Sequence, residues 1–174
     1  MAENDNDFRT WTQGDPRYNE EKAFDEENYP EARHRYLKEM GCIIIALAIM
    51  LRRFGIEEES DYRKFNPLIF FHRAKAAGCF DKGANFLLPK MPELYPIEQF
   101  ECVPYSREAM IDSFRKGYAS LLMVPGKNGP YHYIVPDEIL PDDVSVIDRF
   151  MEKKLVSQYE KVYYIMNFRR IEKK

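Results

Sequence analysis

Three residues in one order carry the first suggestion of chemistry: Cys42, then His132, then Asp148. Cys42 follows Gly41 and opens an apolar run from Ile43 to Leu51. A thiol in the first turn of a buried helix faces the positive end of the helix dipole, which favours the thiolate. His132 lies in the strand-like Tyr131-His132-Tyr133, and Asp148 closes Val146-Ile147-Asp148. A thiol nucleophile needs an imidazole to take its proton. The imidazole needs a third group to fix its tautomer, and the developing oxyanion needs donors. The helix start at Cys42 offers a backbone donor, and Gln13 is a candidate side-chain donor.

Each of these residues also has a plainer reading. A cysteine opening an apolar helix serves equally as a small buried hydrophobe. His132 fits an ordinary half-exposed strand, Asp148 a strand end, and Gln13 a solvated segment. His34 and His72 fall on predicted helices beside Arg33, Arg35 and Arg73, and read as surface residues. Cys79 reads as a loop thiol and Cys102 as a strand residue.

The elements that must position these groups follow from pattern and punctuation. Residues 1–28 are rich in Asp, Glu and Asn, yet Phe8, Trp11, Tyr18 and Phe24 give them a means of packing as an irregular arm. Residues 29–174 are expected to form one domain. A short helix is predicted over 30–40, between Pro30 and Gly41. A buried helix over 42–54 stops at Gly55, and a further helix from Asn66-Pro67 through Ala77 stops at Gly78. The proline-rich stretch 86–104 reads as loop with a short strand. Ser106 caps a helix that ends at Gly117, with Ala109, Met110 and Phe114 on one face. Strands are predicted over 119–124, 131–135, 144–147 and 161–168. Helices followed by an antiparallel sheet make an α+β pattern.

The chain has 174 residues, 45% apolar and 32% charged, which suits one domain with a substantial core. A net charge of -3 gives no general attraction to nucleic acid. The longest apolar run is too short to span a bilayer, and the acidic N-terminus does not resemble a secretory signal. Cys42, Cys79 and Cys102 lack CxxC spacing, which argues against zinc or a redox pair, and all three are expected to be reduced. No metal or other cofactor is expected, nor a nucleic-acid or membrane partner. The expected location is cytoplasmic or virion-associated.

Taken in order, the segments resemble the C39-like group of papain-fold cysteine peptidases, common in bacterial and phage proteins. That family opens with Q-x-D-x-x-W/Y, matched by Gln13-Gly14-Asp15-Pro16-Arg17-Tyr18. Its helix G-C-x-x-T-S-L-A-M-x-L-x-x-x-G is matched from Gly41-Cys42 to Gly55. A Pro-led helix ending in Gly-x-Phe corresponds to Asn66-Pro67 through Gly78-Cys79-Phe80. Lys116-Gly117, His132-Tyr133, Val146-Ile147-Asp148 and the aromatic strand after Tyr159 follow in the family's order. The resemblance spans about residues 11–168.

It implies a papain-like fold with N-terminal helices packed on a C-terminal antiparallel sheet. It further implies a thiol hydrolase acting on a peptide or amide bond. Cys42 would be the nucleophile, His132 the base, Asp148 the orienting acid and Gln13 the oxyanion donor. Ile45-Ala46 replace the family's Thr-Ser, and Arg149 replaces the proline after the acid. These departures motivate a second expectation: a catalytically inactive papain-fold structural or binding protein, such as a phage virion component, assembling through its N-terminal arm. The expected partners are accordingly a peptide or protein substrate, or a protein docked on that arm.

Overall fold

The computed structural model describes Phe8, Trp11, Thr12 and residues 42–55, 65–81, 85–126, 131–148 and 150–171. The helix predicted over 30–40 and most of the N-terminal arm lie outside these residues, as does Gln13. Helix α1, Cys42–Phe54, has eight consecutive buried residues from Ile44 to Leu51. A helix apolar on every side is stable only when it is enclosed. Each aliphatic side chain withdrawn from water there contributes about 1.5–3 kcal/mol. Arg52 and Arg53 occupy its last turn, where the dipole favours cations, and Gly55 ends it at a φ of +63°.

Helix α2, Pro67–Ala76, begins as the sequence predicts. The Asn66 side chain accepts from the Ile69 N–H at 2.9 Å, and Pro67 occupies a position that needs no N–H. Its Phe70 packs with Phe65 and Tyr95, and Phe65 in turn meets Trp11 at a ring separation of 6.1 Å. Trp11 is 1% exposed and belongs to the same core cluster as α1.

The stretch 86–104 is more ordered than its prolines suggest. It holds a 3-10 turn at Leu88–Lys90, a short helix α3 at Met91–Leu94 and an eight-residue strand β1 at Ile97–Pro104. Pro89 and Pro92 stand at the start of helical turns, where the missing N–H goes unnoticed. Pro104 ends β1, which is an edge strand and tolerates a missing ladder donor.

Helix α4, Arg107–Arg115, is capped by Ser106, which accepts from the Ala109 N–H at 3.0 Å. The remaining strands are β2 Ala119–Pro125, β3 Tyr131–Ile139, β4 Val144–Asp148, β5 Lys153–Leu155 and β6 Tyr164–Arg170. They form one six-stranded sheet in the order β1-β6-β2-β3-β4-β5, with every neighbouring pair antiparallel. Alternation along the strands divides two cores. Leu121, Val135, Ile147, Met166 and Phe168 join α1 and α2 in one cluster. Leu122, Val124, Ile134, Val146 and Ile165 join Met110 of α4 in the other. The architecture is thus α+β, with helices on both faces of an antiparallel sheet.

Candidate active site

Cys42 is the first residue of α1 and is partly exposed, while the residues after Ile43 are buried. No acidic side chain sits in the first turn to offset the dipole. His132 stands in β3 opposite Val124 of β2. Asp148 is the last residue of β4. It follows Ile147, which pairs with Val135 of β3. His132 lies three residues before Val135 on that neighbouring strand, a gap that two polar side chains can bridge.

They do bridge it. His132 Nε2 lies 2.9 Å from Asp148 Oδ1, and both residues are buried, at 5% and 7% exposure. With Nε2 committed to the carboxylate, the ring's other nitrogen remains for the thiol, and Cys42 is near enough to raise the imidazole's pKa. The three residues therefore form one line: thiol, imidazole, carboxylate. Burial alone would lower the His132 pKa, but the interactions with Asp148 and Cys42 outweigh it and push it up to about 9. The imidazole is thus a strong proton acceptor, as a base facing a thiol must be.

Asp148 is itself held on every side. Tyr159 donates its O–H to Asp148 Oδ2, and the Met151 N–H donates to Oδ1 at 3.2 Å. Burial raises the Tyr159 pKa and the neighbouring carboxylate raises it further, so the phenol remains a donor. Phe150 covers the imidazole with its ring 5.6 Å from that of His132. Tyr159, Phe150 and the Met151 amide had no assigned role in the sequence. The resemblance marked Tyr159 only as part of an aromatic closing segment.

The cleft at the thiol is lined by Trp11, Thr12, Cys42, Ile45, Ala46 and His132 among others, and its volume is about 20 Å³. That is room for about one water. Ile45 and Ala46, where the family has hydroxyls, form part of its apolar wall. Gln13 lies outside the described residues, although Thr12, its chain neighbour, lines the cleft. The other candidates are placed elsewhere. His72 is exposed on α2. Cys79 is buried after α2, and burial raises its pKa. Cys102 lies exposed on edge strand β1, where desolvation also raises its pKa. Among the described residues no set of three His, Cys, Asp or Glu side chains is gathered for a metal, and no helix is long and apolar enough to cross a membrane.

Comparison of the chain with protein-family models, with curated proteins and with solved structures finds no match.

Proposed function

We propose that the protein is a thiol hydrolase of papain-like type, cleaving a peptide or amide bond through Cys42, His132 and Asp148. The observation that carries this reading is the line from the partly exposed Cys42 thiol to His132, which is buried and hydrogen-bonded to the buried Asp148. The proton given up by the thiol rests on His132, and the Cys42 sulfur attacks the carbonyl carbon, forming a C–S bond as the carbonyl π electrons move to oxygen. Collapse of this intermediate breaks the C–N bond, and the imidazolium hands its proton to the leaving amine. Water, deprotonated by the same imidazole, then attacks the thioester and frees the acid. Asp148 keeps the imidazole in the tautomer that faces the thiol, and its carboxylate stabilises the imidazolium that forms. Backbone N–H groups at the start of α1, which have no intrahelical partner, are available for the oxyanion, together with Gln13 as the resemblance implies.

The test is a burst experiment with p-nitrophenyl acetate, whose activated ester requires no specificity. The expected result is one rapid p-nitrophenol release per chain, with a single acetyl group found on Cys42 by mass spectrometry. The burst disappears in Cys42→Ser and slows about a hundredfold or more in His132→Ala, the scale of a lost general base. Acetylation spread over Cys102 and surface lysines without a burst would remove the proposal.

A second reading has one specific observation behind it. The cleft at the thiol is small and is lined by Trp11 and Thr12, which suits a protein that uses this fold for binding rather than turnover. It predicts that Cys42 is not acetylated ahead of Cys102.

A further inference from the structure

A larger pocket, about 450 Å³, adjoins the thiol cleft, and Ile147 and Asp148 line both. Cys42 and His132 line the small cleft, so the large pocket lies at the carboxylate end of the Cys42–His132–Asp148 line. In amide cleavage the leaving amine must lie on the imidazole side, because His132 has to protonate it. The pocket shares its boundary with the carboxylate end of the line and not with the thiol, and that is the side from which a leaving amine would take its proton.

Its lining is chemically mixed. Val146 and Ile147 of β4 and Glu152, Lys153 and Lys154 all contribute to it. Two other carboxylates border it, but both are already engaged. Asp137 is held by Arg53 Nε at 2.8 Å, and Asp148 by His132. Two lysines against one glutamate leave the lining with an excess of positive charge. The Lys153 ammonium lies over the Tyr159 ring, 4.7 Å from its centroid. Lys154 is exposed, and among the described residues its ammonium has no ion-pair partner. Apolar pockets with a few charged groups at the mouth are the common form of a specificity site.

We propose that this pocket binds the leaving-group portion of a peptide and selects an apolar residue adjoining a carboxylate, from either an acidic side chain or a free C-terminus. That the bound portion is a leaving group rests on the hydrolase reading; the binding preference does not. The test uses the full-length Cys42→Ser protein, in which no turnover occurs, and fluorescein-labelled peptides read by anisotropy. The peptides are an amide-capped Leu-Asp peptide, its Leu-Asn and Leu-Lys counterparts, and a Leu-Ala peptide with a free C-terminus. At low salt, one of the two carboxylate peptides is expected to bind about tenfold more tightly than the Leu-Lys peptide. The preference should shrink with salt and fall to about twofold or less in Lys154→Glu. Whichever carboxylate peptide shows the preference identifies the source.

Lys154 is an exposed residue, so this variant is expected to keep the wild-type circular dichroism spectrum. Equal affinities for all four peptides, or a preference untouched by Lys154→Glu, would overturn the proposal. A persistent preference in a protein that shows no acylation burst would end the hydrolase reading and leave the pocket standing. A burst without the preference would do the reverse.

Discussion

Asp148 accepts from His132, from the Tyr159 hydroxyl and from the Met151 amide. A buried carboxylate that has lost its water needs such donors, and each donor also fixes where the carboxylate points. Tyr159 thereby positions His132 without touching the thiol. Tyr159→Phe leaves Oδ2 without this donor in a buried site. The variant is expected to lose about 1–3 kcal/mol of unfolding free energy, the penalty for a buried acceptor losing its partner. Its acetylation of Cys42 should also slow, because the imidazole is less firmly held. Urea unfolding and the ester burst measure the two effects, and wild-type values in both would contradict the role assigned to Tyr159. The positions of Cys42 and Asp148 at an element start and end were legible from pattern, while their grouping with His132 as one candidate set came from the resemblance. The role of Tyr159 was not legible, since its bond to Asp148 depends on the chain turning through β5 and a 3-10 turn at Val156–Gln158 before it returns.

At the scale of elements, legibility followed the strength of the local signal. Helices α1, α2 and α4 have Gly just beyond their ends, at φ of +63°, +70° and +72°. Only a residue without a Cβ takes that conformation at little cost, so the stops were visible in the sequence. The caps Asn66 and Ser106 were visible for the same kind of reason: a short side-chain acceptor satisfies an amide that the helix cannot. Strands β2, β3, β4 and β6 show alternation and aliphatic enrichment, and all were expected within a few residues of their observed ends. Strand β5 escaped because Lys153-Lys154-Leu155 has neither property; it is ordered by pairing with Ser145 and Asp148. Strand β1 was underestimated because prolines were counted as breakers without regard to where each falls. Pro89 and Pro92 open helical turns, and Pro104 ends an edge strand.

At the scale of the molecule, the α+β order was legible from helical spacing giving way to strand alternation. The place of Trp11 in the main core was legible only in the aromatic character of residues 1–28. Trp11 is 1% exposed, packs on Phe65 and lines the thiol cleft. Trp11→Ala is therefore expected to cost about 3–5 kcal/mol in unfolding free energy, as for other buried tryptophans. A loss below about 1 kcal/mol in a urea titration would show that the segment is dispensable to the fold. The central claim also belongs to this scale, since only folding brings residues 42, 132 and 148 into one line. It is tested most directly by alkylating Cys42 with iodoacetamide across pH. His132 holds its proton up to about pH 9, so an imidazolium faces the sulfur throughout the neutral range. The account predicts that Cys42 is modified at pH 6 well ahead of exposed Cys102. In His132→Ala this advantage falls about a hundredfold, because an ordinary cysteine is under about 1% ionised at that pH. A Cys42 that reacts at pH 6 no faster than Cys102, or equally fast with and without His132, would contradict it.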